Sequence, residues 1–329
     1  MIAAVILNYN GKAHLEKFLP GVIQFSPEAK IVVADNGSTD DSIAFISKNF
    51  PGVEIIGIGK NLGFCGGYNY ALKKVVADYF VLLNNDVEVT DGWLKPMRDL
   101  LDRDTTIAAV QPKVLSWHHK NKFEYAGAGG GMIDMLGYPF CRGRIFDSVE
   151  EDQGQYNDTL PVFWATGACL VVRAGLFMEL GGFDEDFFAH MEEIDLCWQL
   201  KRRGHQVYYC GSSTVYHVGG GTLAMGNPAK TYYNFRNGLA ILIKHQRWGQ
   251  LLWKFPLRVG LDWVAALKFL MMEPAHAWAV IRAHGYVATH FGRILKKRAV
   301  LKGYTFDVGG IYPGSILWRY FVLGRKTFQ

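Results

Sequence analysis

Cysteine is scarce in this chain of 329 residues: five occur, at 65, 141, 169, 197 and 210, and none forms a CxxC pair. An odd, scattered set excludes a disulfide framework and a cysteine zinc site and fits a reducing compartment. Long apolar runs are missing as well. The opening "MIAAVILNYN" has neither the basic region nor the long apolar stretch of a leader and is expected to form a strand. Farther on, "WGQLLWKFPLRVGLDWVAALKFLMM" is interrupted by Lys254, Arg258, Asp262 and Lys268. No segment therefore reaches the ~20 consecutive apolar residues that span a bilayer. No internal period points to a solenoid or propeller. Acids are rare in residues 241–329, which hold 14 Lys and Arg against 3 Asp and Glu, a surplus of eleven positive charges. Residues 1–240 carry 21 basic and 27 acidic residues, a mild acidic excess. A basic tail on an acidic body suits an anionic surface, lipid or nucleic acid, as the tail's partner.

What is present points to a folded enzyme-sized chain. Half the residues are apolar and a fifth are charged, so disorder is excluded and one large or two unequal domains are expected. The first 90 residues alternate strand and helix patterns. "AAVILNYN", "AKIVVADNGS", "VEIIGIG" and "YFVLLNND" read as buried strands. Between them "AHLEKFLPGVIQF" is helix-like and limited by Pro20, "TDDSIAFISKNF" opens on the capping residues Thr39 and Asp40, and "GFCGGYNYALKKVVA" runs from a glycine-rich loop into a helix. Such alternation predicts an α/β fold with a mostly parallel central sheet and helices on both faces. From 91 to 190 the pattern loosens, with a helix near 91–103, a glycine-rich stretch at 127–131, an acidic loop near 147–158 and "FWATGACLVVR" as a further strand. The last ninety residues read as aromatic, aliphatic helices, and the boundary is placed at Gly226-Asn227-Pro228, giving regions 1–226 and 227–329.

In a parallel sheet, ligands bind at the carboxyl ends of the strands. All four ends are polar here: Asn8-Tyr9-Asn10, Asp35-Asn36-Gly37-Ser38, Lys60-Asn61 and Asn84-Asn85-Asp86. One polar end is a turn; four on one rim suggest a site for a nucleotide diphosphate. Asp35 can accept from a base or ribose, Asn8 and Asn10 can donate or accept, and Tyr9 offers an aromatic face. "GKNLGFCGGYN" can bring backbone N–H groups and Lys60 toward phosphates, although it lacks both GxGxxG and GxxxxGK[ST]. A leaving diphosphate calls for a divalent metal on hard ligands. Asp86 is the best carboxylate for it and Glu88 a weaker one, with His217 in "TVYHVGGGT" as a second ligand. In "MEEIDLCWQL", helical spacing places Glu193 with Leu196, Cys197 and Leu200 on one apolar face, and Glu192, Asp195 and Gln199 on a polar face. Glu193 is thus expected to point into the body as a general base, and Glu192 to act as a first-turn dipole complement.

Taken together, "VILNYNG", "VVADNGSTDDS", "NLGFCGGYN", "LLNNDVEV", "ATGACLVVR", "GGFDEDFF", "EEIDLCWQLKRRG" and "YHVGGGT" resemble, in order, an inverting family 2 glycosyltransferase of the A-type fold, nearest the bacterial rhamnosyltransferase-like members. The resemblance implies a Rossmann-like A-type fold over residues 1–226 and a nucleotide-sugar donor, with dTDP-rhamnose first and a UDP-sugar next. It implies a glycan or lipid-linked glycan acceptor and a Mg²⁺ or Mn²⁺ cofactor. At matching positions it implies Asn8, Tyr9, Asn10 and Asp35 around the nucleoside and Lys60, Asn61 and Asn69 near the diphosphate or sugar, with Ser38 and Asn85 also among the nucleotide-binding residues. Asp86 and His217 would be metal contacts and Glu193 the base. Asn84 stands where Asp-x-Asp has its first acid, and Glu193 where the family carries aspartate. The tail, with Trp248, Trp253, Trp263 and Trp278 beside Lys and Arg, is expected to lie peripherally on the inner face of the cytoplasmic membrane, the alternative being a helical cap with a solvated basic face. Two other functions are weighed. A sugar-nucleotide pyrophosphorylase would need an Arg-containing glycine-rich loop where "NYNGKAHLEK" stands. A non-catalytic sugar-nucleotide binder would have no use for Asp86, Glu193 and His217 together.

Overall fold

The computed structural model describes residues 1–125, 127–219 and 226–328. Its strands are β1 Ile2–Asn8, β2 Ala29–Asp35, β3 Glu54–Gly57, β4 Tyr79–Asn84, β5 Val87–Val89, β6 Ile107–Ser116, β7 Gly131–Asp134, β8 Pro139–Cys141, β9 Arg144–Ile145, β10 Ser148–Val149, β11 Thr159–Val162, β12 Cys169–Arg173, β13 Gln206–His217 and β14 Ile311–Tyr312. The helices are α1 Lys12–Gln24, α2 Ser42–Asn49, α3 Gly63–Leu72, α4 Leu94–Arg103, α5 Ala174–Glu179, α6 Glu192–Arg202, α7 Pro228–His245, α8 Trp248–Met272, α9 Pro274–Thr289 and α10 Phe291–Val300.

The main sheet runs β11–β13–β6–β12–β4–β1–β2–β3, with β5 paired to β13. β1 is parallel to β2 and β4, and β2 to β3. β12 lies antiparallel between β4 and β6, and β6 is parallel to β13. The carboxyl ends of β1, β2, β4, β6 and β13 therefore reach one rim. Period-two alternation decides the two cores: Ile2, Ala4 and Ile6 pack on one face of β1 with Leu15 and Leu19 of α1, and Ala3 and Val5 pack on the other with Tyr68 of α3.

Several local expectations change; α3 is already helical through its glycines from Gly63, and α2 begins at Ser42 after Asp41 rather than on Thr39 and Asp40. Pro20 does not limit α1 but lies inside it. Proline leaves the carbonyl four residues back without its helical donor, and Pro20 and Glu16 both lie on the exposed side, where water can serve that carbonyl. The strand read through "FWATGACLVVR" begins only at Cys169. The backbone before it is held instead by side chains, with Thr166 N–H donating to Gln111 Oε1 at 3.0 Å and Ala168 N–H to Thr166 Oγ1 at 3.1 Å. The loosely patterned middle also forms a second sheet, β10–β9–β8–β7–β14, whose last strand comes from the C-terminal region.

The helical region starts at Pro228, with Asn227 as a side-chain cap accepting from Ala229 N–H. It does not hang free of the body: Leu239–Ile243 of α7 belong to the same buried cluster as Leu196 and Trp198 of α6. Among the described residues no helix is long and apolar enough to cross a membrane.

Candidate active site

The ends of β1, β2 and β4 are tied by side chains. Asn85 Nδ2 donates to Asn8 Oδ1 at 2.9 Å, and Asn8 Nδ2 to Ser38 Oγ at 3.2 Å and Asp35 Oδ1 at 3.4 Å. Gly11 makes room for this, since a Cβ there would stand 2.1 Å from Asn85 Nδ2. Asp35 Oδ2 accepts from Ser38 N–H at 3.1 Å. Asn10, at φ 51°, turns its Oδ1 onto Thr39 N–H at 2.7 Å. Tyr9 is 46% exposed beside this network. Lys60 and Asn61 are exposed where the backbone of Lys60 meets Gly37, and Asn61 Oδ1 accepts from Gly63 N–H at 2.8 Å. Asn69 is used differently from the expectation. It is buried on α3 and its amide is engaged at both ends, accepting from Phe183 N–H at 2.8 Å and donating to Phe183 O at 2.9 Å and Glu185 Oε1 at 3.1 Å. Its amide holds the loop at 183–185 rather than a ligand.

Asp86 and His217 come together from segments 131 residues apart, because β5 pairs with β13 in a register that sets His217 opposite Val87. His217 Nε2 lies 3.1 Å from Asp86 Oδ1, and its Nδ1 lies 3.1 Å from Glu124 Oε2. Asn84 Nδ2 is 3.4 Å from the same Nε2. Burial pushes the Asp86 carboxyl up, but the hydrogen bond and charge of His217 outweigh it and hold the pKa below the ordinary value. Burial likewise disfavours charge on His217, yet the two carboxylates override it and raise its pKa to about 10. The imidazolium thus fills, as a cation, the space between two acids. Glu88 is engaged elsewhere, accepting from Trp117 Nε1 at 2.8 Å and pairing with Lys120. Of the glycines after His217, Gly220 and Gly221, with Thr222, lie outside the described residues.

The face assignment on α6 is corrected. Glu192, Asp195 and Gln199 are all buried and Glu193 is half-buried, because α7 covers the face that looked polar. Asp195 meets Lys244 Nζ at 2.7 Å and His245 Nε2 at 2.8 Å, and Gln199 Nε2 donates to Asp195 at 2.8 Å. Glu192 and Glu193 each keep one buried carboxylate oxygen without a hydrogen-bond partner. Burial drives both pKa values up, that of Glu193 to about 7, while nearby backbone N–H groups pull the other way. Glu192 lies beside Gly167, in the loop whose Ala168 carbonyl accepts from Asn84 N–H at 2.9 Å. The acid pair therefore stands on the same rim as Asp86.

The approach to that pair is strained and clamped. Phe188, His190 and Met191 have φ of 63°, 68° and 72°, a conformation costly for side-chain-bearing residues. Phe188 O accepts from Phe64 N–H at 2.8 Å, and Gly63 is required opposite it, since a Cβ would lie 2.5 Å from the Phe188 ring. From α7, Asn237 Nδ2 donates to the carbonyls of Phe187, Ala189 and His190 at 3.2, 3.0 and 2.6 Å. Arg236 Nη2 donates to the carbonyls of Asp186 and Phe187 at 2.8 and 2.7 Å. These residues, with Glu124, escaped sequence reasoning. The only trace was the segment "YYNFRNGLAILIKH", in which a buried Arg-Asn pair interrupts an apolar helix.

A polar rim of this kind on a mixed sheet narrows the fold, and a family model decides the membership. Residues 3–179 match the model for glycosyl transferase family 2. The chain belongs to that family. Among curated relatives, this glycosyltransferase is 27% identical over 290 residues to the N-acetylglucosaminyl-diphospho-decaprenol L-rhamnosyltransferase of Mycobacterium tuberculosis, covering 83% of this chain and 92% of the relative. It is 24% identical over 231 residues to the rhamnosyltransferase WbbL of Escherichia coli K12, covering 66% and 83%. Among solved structures, GalNAc-T7 with UDP, GalNAc and Mn²⁺ superposes with a TM-score of 0.57 at 16% identity, covering 74% of this chain and 47% of that one. The mannosyltransferase PcManGT from Pyrobaculum calidifontis with GDP-Man and Mn²⁺ gives 0.52 at 15%, covering 91% and 79%. These likenesses place the enzyme in the A-type glycosyltransferase fold with an added C-terminal helical region.

Proposed function

We propose that the enzyme transfers a sugar from a nucleotide diphosphate, dTDP-rhamnose first and a UDP-sugar next, to a hydroxyl of a lipid-linked glycan, with inversion. The observation that carries the reading is the convergence of Asp86 and His217 at the rim beside Asn8 and Asp35. Asn8, Tyr9, Asn10, Asp35 and Ser38 would take the nucleoside, with Lys60, Asn61 and Asn85 toward the diphosphate. The donor set fits Mg²⁺ or Mn²⁺: a buried carboxylate and an imidazole whose far nitrogen is fixed by Glu124, in the manner of carboxylate–histidine metal ligation. Among the described residues no three His, Cys, Asp or Glu side chains gather to hold an ion. Two protein ligands suit a cation that shares its shell with substrate phosphates and water. Held there, the ion would neutralise charge on the departing diphosphate. His217 would ligate through Nε2 and keep its Nδ1 proton on Glu124.

Glu193 would take the proton of the acceptor hydroxyl as that oxygen bonds to the anomeric carbon and the bond to the diphosphate oxygen breaks on the opposite face. The half-buried position of Glu193, its unpartnered carboxylate oxygen and its pKa raised by burial to about 7 support the role. The relatives named as rhamnosyltransferases, one of them for a decaprenyl diphosphate sugar, support the acceptor class.

Residues 1–226 would form the donor half and residues 227–329 the acceptor and membrane half. The surplus charge of the tail is partly absorbed by the body, since Lys244 pairs with Asp184 and Asp195, and Arg293 and Lys297 with Asp186. Apolar exposure is the stronger support for peripheral membrane contact: on α8, Trp263, Val264, Leu267 and Met271 all face solvent, Met271 at 89%. Changing Glu193 to Gln tests the catalytic assignment: transfer should cease while dTDP binding survives. Undiminished transfer by that variant would remove Glu193 from the role.

A further inference from the structure

The donor site leaves unused a groove of about 290 Å³ between the first turns of α7 and the N-terminal half of α9. Its walls include Tyr232, Tyr233, Trp278 and Arg282. Three observations bear on what it takes. Its inner end adjoins the strained loop, because Tyr233 stacks on Phe188 at 5.7 Å and 19° and lies 6.4 Å from the His190 ring, two residues before the acid pair. It carries a cation: the Arg282 guanidinium, exposed to solvent, lies 5.0 Å from the Tyr232 ring, whose other neighbour Arg236, outside the groove lining, lies 5.2 Å from it. Arg236 is already committed to carbonyls of the loop, so Arg282 is the guanidinium presented to an incoming anion. It also has an apolar wall, where Ala275, Ala279 and the 61% exposed Trp278 line it on α9, the helix that packs against α8.

A ligand matched to this sequence of surfaces has a hydroxylated sugar at the acid pair, an anionic group at Arg282 and a hydrocarbon chain running outward along α9 and α8. Guanidinium forks recognise phosphate oxygens, and aromatic walls pack against both sugar and isoprenoid. Resting on the glycosyltransferase reading of the rim, we propose that this groove is the acceptor subsite and that it holds the diphosphate and first isoprenoid units of a polyprenyl-diphosphate-linked sugar. Arg282 binds the diphosphate, Trp278 packs on the chain, and the sugar hydroxyl is left beside Glu193.

The test uses the full-length enzyme saturated with dTDP and Mn²⁺, so that the donor's diphosphate position is filled. Binding of farnesyl diphosphate is measured by titration calorimetry against inorganic pyrophosphate, farnesol and phosphatidylglycerol vesicles. Farnesyl diphosphate should bind without displacing dTDP, and pyrophosphate and farnesol should each bind more weakly. Arg282→Ala should weaken farnesyl diphosphate binding roughly tenfold or more, the loss expected for a charged hydrogen bond to phosphate. Trp278→Ala should weaken it while leaving pyrophosphate unchanged. Both side chains are exposed, so thermal unfolding of the variants should match the parent. The proposal is overturned if Arg282→Ala binds farnesyl diphosphate like the parent, if farnesyl diphosphate and dTDP exclude each other, or if the substitutions weaken only vesicle binding. Failure of dTDP itself to bind would instead count against the donor site, and is read in the same titrations.

Discussion

Replacing Asn237 with alanine removes one amide that serves three carbonyls of the strained loop, those of Phe187, Ala189 and His190. The amide has two N–H groups shared among the three carbonyls, so at about 1 kcal/mol net per hydrogen bond the clamp contributes ~2 kcal/mol, before any cost of leaving buried carbonyls bare. Each left-handed residue among Phe188, His190 and Met191 stores about 1–3 kcal/mol. The clamp is comparable with the strain of one such residue, so its loss should let the loop relax, and ~2 kcal/mol corresponds to about thirtyfold in population. Glu192 and Glu193 follow directly and would lose their placement, whereas Asn8 and Asp35 sit on strand ends the clamp does not touch. The expected result is a kcat for transfer lower by roughly tenfold to a hundredfold, with dTDP affinity within about twofold of the parent. Steady-state transfer, dTDP titration and a thermal melt are run on the same preparation. Wild-type kcat in a cooperatively folded Asn237→Ala protein would refute the reasoning, because the clamp would then have no bearing on the acids.

Further outcomes follow from the acids and from the tail. Because Glu193 works as a base only when ionised, kcat should climb as pH rises through about 7, and a profile flat from pH 5.5 to 8.5 would contradict the assignment. The same raised pKa values mean that the folded state binds more protons than the unfolded chain between the ordinary carboxylate range and neutrality, so this pair lowers stability as pH rises. Glu192→Gln should accordingly raise the melting temperature at pH 8 and leave it nearly unchanged at pH 4. Glu124→Gln should weaken Mn²⁺ binding in the presence of dTDP by about 10- to 100-fold, as loss of a histidine's supporting carboxylate does elsewhere; electron paramagnetic resonance of free Mn²⁺ reads this directly. Leu267→Glu with Met271→Glu should abolish flotation with phosphatidylglycerol liposomes without altering dTDP binding, and undiminished flotation would remove that face of α8 from membrane contact.

The rim could be read from the sequence because each strand there ends abruptly: the apolar runs of β1, β2 and β4 stop on Asn8, Asp35 and Asn84, with Asn85 and Asp86 following, and the switch from apolar to polar residues marks which come last. His217 was reachable for the same reason, as the last residue of β13. What could not be read depends on partners distant in sequence. The polar face of α6 looks solvated until α7 arrives with Lys244 and His245, 49 and 50 residues after Asp195. Asn69 carries the same amide whether it binds a diphosphate or Phe183, and only the fold decides. Glu124 lies in no motif, and its meaning comes entirely from the imidazole 93 residues away. The small sheet escaped notice because its strands are two to four residues long, too short for a period to register.

Titrating dTDP into the enzyme with and without Mn²⁺, in parallel for the parent and Asp86→Ala, is the most direct check on the rim. Mn²⁺ should tighten dTDP binding to the parent and have no effect on the variant. Equal tightening in both proteins, or none in either, would contradict a cation held between Asp86 and the diphosphate.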